Sequence, residues 1–183
     1  MRFVSLSVIA ASAAFLSPGS VAAESHRGTS PAELPPSLAV PAGNDLAFTL
    51  EAEGVQVYAC AVSGASFDWA FQAPEARLSE TSGLAAGMHY AGPTWESADG
   101  SKVVGAKIEA ATPDAAAIPW LLLRAASHAG SGRMEEVTFV QRIRTWGGNA
   151  PRQGCDATHA GEVARVPYRA AYRFYRKGAG TPG

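Results

Sequence analysis

The sequence predicts an all-β domain, an antiparallel β-sandwich with a β-barrel as the alternative, of about eight strands and one disulfide. Three observations point there. Apolar and polar residues alternate with period two in several segments, whereas none sustains a 3.6-residue period with caps at both ends. Nineteen Gly and twelve Pro divide the chain into short pieces. The chain is 47% hydrophobic and 17% charged, enough to bury a core and too apolar to stay disordered.

Taken in order, Leu46, Phe48, Leu50 and Ala52 alternate with Ala47, Thr49, Glu51 and Glu53. Gly54 is expected to turn the chain, with Val55–Cys60 as the return strand. Phe67, Trp69 and Phe71 form the next alternating run, which Pro74 is expected to end. Asp99-Gly100 is a two-residue hairpin signal between strands at 94–97 and 101–111. Residues 120–127 are apolar on both faces, as in a central strand. Strands at 137–146 and 168–177 complete the set. Pro113 to Ile118 has room for one short helical turn.

Before this domain, residues 1–23 read as an export signal. Arg2 precedes an apolar stretch from Phe3 to Leu16, Pro18-Gly19 breaks it, and Val21-Ala22-Ala23 offers small residues for cleavage ahead of Glu24. No cysteine stands near that cut to take a lipid, and nothing after it is expected to anchor in a membrane. Residues 24–42 carry Pro31, Pro35, Pro36 and Pro41 and are expected to be an extended, poorly packed leader. The domain proper is 43–177, with 178–183 as a flexible tail. The expected location is periplasmic or secreted. In such an oxidising compartment Cys60 and Cys155, the two cysteines of the chain, are expected to pair.

Several segments are distinctive together: Pro-Ala-Gly-Asn at 41–44, Gly-Val-Gln-Val-Tyr-Ala-Cys at 54–60, and His-Tyr-Ala-Gly-Pro-Thr-Trp-Glu at 89–96. They are followed by Asp-Gly-Ser-Lys-Val-Val-Gly at 99–105, Gln-Arg-Ile-Arg-Thr at 141–145, Gly-Gly-Asn-Ala-Pro at 147–151, Cys155-Asp156, and Val-Pro-Tyr-Arg-Ala-Ala-Tyr-Arg-Phe-Tyr at 166–175. From Pro41 to about Lys177 the chain resembles the secreted bacterial and fungal family known as domain of unknown function 3455. The resemblance implies an exported single-domain protein and transfers no catalytic residue. Some relatives carry dehydrogenase labels, which the residues here do not support. Gly178, Gly180 and Gly183 have dinucleotide-loop spacing, but no strand–helix unit surrounds them. No cofactor is expected.

The candidate chemistry is sparse. His89, Glu96 and Asp99 cluster in sequence and are the candidate acid–base residues of a small hydrolase. Trp95 is expected to face the core and Glu96 solvent, because adjacent strand residues point to opposite faces. His26, His89, His128 and His159 show no paired spacing, so no metal site is expected. No Gly-x-Ser-x-Gly or His-Glu-x-x-His motif occurs.

Charge is more informative. The formal net charge of −1 gives no general pull toward nucleic acid. Its distribution is uneven: residues 139–183 hold eight basic and two acidic residues, whereas 24–138 hold six basic and fourteen acidic. Alternation is expected to place Arg142 and Arg144 on one face of their strand, and Arg169 and Arg173 on one face of theirs. If those strands pair, four guanidiniums line a face suited to carboxylate, sulfate or phosphate. Otherwise they neutralise the acidic half. The expected function is a binding or surface-interaction module for a glycan or polyanion, rather than an enzyme. The alternatives are the hydrolase and a structural or stress-related envelope protein. The sequence does not set the oligomeric state.

Overall fold

The computed structural model describes residues 33–179; the expected export signal and the last four residues lie outside them. The domain is all-β. Its strands are β1 (Asn44–Ser63), β2 (Ser66–Ser79), β3 (Ala85–Tyr90), β4 (Thr94–Ser97), β5 (Lys102–Ala111), β6 (Trp120–Ala129), β7 (Val137–Gly147) and β8 (Val163–Lys177), preceded by a 3-10 turn at Pro36–Leu38. Each strand pairs antiparallel with the next in sequence, and β8 pairs back onto β1 along Asn44–Ala59. The eight strands therefore form one sheet whose first and last members are hydrogen-bonded, a closed ring.

Two expected boundaries fail for physical reasons. Gly54 is not a turn: β1 runs through it, because its role is close approach. A Cβ there would sit 2.1 Å from the Glu75 carbonyl oxygen. Pro74 does not end β2, which continues to Ser79 past an irregularity opposite Val57 and Tyr58. The two expected segments at 46–53 and 55–60 are thus one strand, and β3, which carries no strong alternation, completes the eight. The hairpin at Asp99-Gly100 forms between β4 and β5 as expected, with Gly100 at φ 86.

The interior is lined by alternate residues. Leu50 and Ala52 of β1 pair with Tyr172 and Ala170 of β8, and Val140 of β7 pairs with Phe174; all are buried. Trp95 fills the middle, stacked on His89 with ring centroids 4.5 Å apart and edge-on to Tyr172 at 5.3 Å. Gly105 makes room for it, since a Cβ there would lie 2.9 Å from the indole. At one end of the ring the β6–β7 loop folds inward, burying Met134 completely. At the other, the β7–β8 loop is held by the Cys60–Cys155 disulfide and by the Tyr58 hydroxyl, which donates to the Gly148 carbonyl at 2.6 Å.

The expected loose leader is ordered where it is described. Leu38 is fully buried against Trp120, Leu122, Ile143 and Ala171 on the outer face of the sheet. The Gln141 side-chain amide donates to the Leu38 carbonyl at 2.7 Å, and its oxygen accepts from the Tyr175 hydroxyl at 2.7 Å. This explains why β6 is apolar on both faces: one lines the interior, and the other lies beneath the leader. Leu38→Ala should cost about 2–5 kcal/mol, the usual range for emptying a buried leucine site. The check is the urea midpoint, which should fall without a change in slope.

Candidate functional site

The three candidate acid–base residues do not assemble. In the β3–β4 pairing His89 stands opposite Trp95 and Met88 opposite Glu96, so His89 and Glu96 lie on opposite faces of the sheet. Trp95 is buried as expected, and Glu96 is half-buried on the outer face. Glu96 accepts from the Tyr90 hydroxyl at 2.7 Å and lies 3.1 Å from the Lys102 ammonium. Both partners hold its carboxyl below the ordinary range, which suits an ion pair and not a general acid.

Asp99 has a structural task. Its carboxylate accepts from the Ser101 backbone N–H at 2.9 Å, the Ser101 hydroxyl at 2.6 Å and the Arg133 backbone N–H at 2.8 Å. These donors depress its pKa strongly. The Ser101 hydroxyl in turn accepts from the Met134 N–H at 3.0 Å. Asp99 therefore fastens the loop that seals one end of the ring.

The four arginines do not share a face either. β7 and β8 do pair, but the register sets Arg142 opposite Tyr172, whose side chain is in the core. Arg142 points inward. Between Ile143 and Trp146, β7 carries one residue more than β8, and Arg144 in that bulge has φ 50. The bulge reverses the alternation, sending Arg144 out to Glu51 at 2.6 Å. Arg169 also faces outward, 2.8 Å from Glu53, and Arg173 lies on the outer side opposite Gln141 and Thr49. Carboxylates of the acidic half thus occupy part of the expected basic face.

A different site emerges around the inward arginine. A cavity of about 440 Å³ opens at the end of the ring bearing the β3–β4, β5–β6 and β7–β8 loops. Its walls are apolar: Tyr58 and Phe71, Pro74, Pro93 and Pro119, Ile118, Leu121 and Leu123. Two cations, Arg142 and Lys107, line it, and among the described residues no Asp or Glu does. The Arg142 Nε–H donates to the Pro119 carbonyl at 3.0 Å, which fixes the guanidinium. Its charge is felt by Tyr58, His89, Tyr168 and Tyr172.

The buried polar groups around this cavity are distinctive. His89 Nδ1–H donates to the Thr94 carbonyl at 2.8 Å, leaving Nε2 as the acceptor of that ring. Burial, opposed by that hydrogen bond and reinforced by the Arg142 charge, lowers its pKa to about 3, so the imidazole is neutral at physiological pH. Burial also raises the Tyr168 and Tyr172 phenols, which stay protonated. Gln56 is 2% exposed, and among the described residues its amide nitrogen has no hydrogen-bond partner, whereas the Tyr168 and Tyr172 hydroxyls lie beside each other and Tyr172 beside Arg142. A buried amide donor without a partner beside a cation is the chemistry that an anion would satisfy.

Of these residues, His89 and Arg142 stand out in the sequence as reactive or charged groups. Gln56, Tyr58, Tyr168 and Tyr172 sit in strand alternation and give no local signal. Asp99→Asn should lower stability at neutral pH and flatten the acid limb of unfolding. A carboxylate whose folded pKa is depressed contributes stability above its unfolded pKa, near 4, and loses it as pH falls through the lower folded value. Thermal melts of both proteins between about pH 2 and 7 check this; parallel melting curves would contradict it.

The sequence profile of a family described as protein of unknown function (DUF3455) matches residues 41–176. The chain belongs to that family. No curated protein and no solved structure matches it.

Proposed function

For this member of the DUF3455 family, we propose an exported binding module that takes a small anionic ligand in the open end of its strand ring, with no catalytic step. The observation that carries this reading is the Arg142 cavity, apolar in its walls and free of carboxylates among the described residues. An inward arginine with no acidic partner needs its charge matched, and a ligand anion matches it. Export rests on the signal-like residues 1–23, and the Cys60–Cys155 disulfide is compatible with it. The polyanion expectation narrows accordingly. A continuous arginine row would suit a polymer, whereas one guanidinium in a cavity suits a single anionic group. The hydrolase alternative loses support because Glu96 and His89 face opposite sides of the sheet.

Anilinonaphthalene sulfonate, an amphipathic fluorescent anion, is a suitable probe. It should bind at one saturable site, and Arg142→Gln should weaken it by about tenfold or more while the melting temperature holds. Arg169→Gln, on the outer face, should leave it unchanged. Equal binding to wild type and Arg142→Gln would overturn the reading.

A further inference from the structure

The cavity is not simply the end of the ring, because the wall beside it is incomplete. β2 pairs with β3 only from Ala76 to Ser79, although β2 begins at Ser66. β5 pairs with β4 only from Lys102 to Val104, although β5 runs on to Ala111. The short β3–β4 hairpin turns back at Gly92 and Pro93, both on the cavity wall. Past that turn neither β3 nor β4 pairs with these strands, and Phe71, Gln72 and Pro74 of β2 and Lys107 and Ala110 of β5 line the gap between them. Side chains from both strands narrow the gap to a slot.

The slot has two chemically distinct ends. At the inner end Arg142 has its Nε–H tied to Pro119, and the Tyr172 hydroxyl stands beside its guanidinium. The Nη pair of a guanidinium is a planar two-point donor, the shape that fits a carboxylate. The buried Gln56 amide supplies another donor nearby. At the outer end Phe71 is half exposed and stands edge-on to Tyr58 at 5.7 Å, and the Pro93 ring also lines the wall. Flat rings stack best against such walls.

We infer that the ligand is an aromatic carboxylate, entering sideways between β2 and β5 with its carboxylate on Arg142 and its ring beside Tyr58 and Phe71. This rests on the anionic-ligand reading above and narrows it. The cavity of about 440 Å³ lies near the small end of ligand pockets, so the ligand is a small molecule and not a polymer segment.

Four probes separate the two readings by calorimetric titration of the full domain: naphthoate, naphthalenemethanol, octanoate and glucuronate. Naphthoate should bind with one-to-one stoichiometry, at least about tenfold more tightly than the other three. Phe71→Ala should weaken naphthoate, and Arg142→Lys should do so too, because it keeps the charge and loses the fork. Both variants should melt as the wild type does. If octanoate or glucuronate comes within tenfold of naphthoate and Arg142→Gln abolishes their binding, the aromatic assignment falls and the anionic site stands. If naphthalenemethanol binds as tightly as naphthoate, if no probe binds, or if Arg142→Gln has no effect, both fall.

Discussion

The structure depends on filling the inside of an eight-strand ring. Such a ring has an interior just wide enough for packed side chains, so every inward position must be the right size. Trp95 takes the centre, and its neighbours are chosen around it: a stacked imidazole at His89, edge-on rings at Tyr172 and Phe174, and no side chain at all at Gly105. The imidazole serves as a flat plate here, which is why burial keeps it uncharged. On one side of this plug the interior is closed by Met134, held in place where its N–H donates to the Ser101 hydroxyl and the preceding Arg133 N–H donates to Asp99. On the other it stays open, and among the described residues the charges on the cavity wall, Arg142 and Lys107, are positive.

Irregularities in the strands decide which residues reach that interior. An extra residue on β1 between Leu46 and Phe48 turns Leu46 outward, where it is half exposed, and brings Phe48 in to stack on Phe174 at 4.7 Å. The bulge at Arg144 works in the same way on β7. Upstream of it Arg142 faces inward beside Tyr172; downstream, Trp146 faces outward opposite Arg169. Strict alternation would have kept Arg142 and Arg144 together. One inserted residue separates a charge that neutralises Glu51 from a charge that enters the cavity.

This sets the limit of what the sequence discloses. The all-β class, the Asp99-Gly100 hairpin, the buried Trp95 and the Cys60–Cys155 bond follow from period, turn chemistry and cysteine number, which are local or nearly so. The continuity of β1 through Gly54 is not local, because the reason for that glycine is the Glu75 carbonyl on another strand. Burial of Leu38 is equally non-local: its proline-rich surroundings read as loose chain, and its partners lie on β6, β7 and β8. The cavity was the least legible part. Gln56, Tyr58 and Arg142 come from β1 and β7, strands whose residues meet across the ring only after the register and the bulge are known.

The open slot also leaves two strand edges, and bare strand edges recruit other strands. Cys60 commits its N–H to the Glu162 carbonyl and its carbonyl to the Gly161 N–H, so the backbone of its β2 partner Trp69 faces away from β1. That Trp69 N–H is capped by the Asp68 carboxylate at 2.8 Å, and the indole N–H is tied to Gln153 at 3.0 Å. Further along, Pro74 has no N–H to offer a new strand. Across the slot, β5 presents Lys107, a charge that disfavours strand addition. The two edges are thus blunted against backbone pairing while the side chains between them remain accessible. Under the proposed reading, a gap protected in this way suits a small molecule better than a peptide, and the same Lys107 that discourages a strand would add to the attraction for an anion.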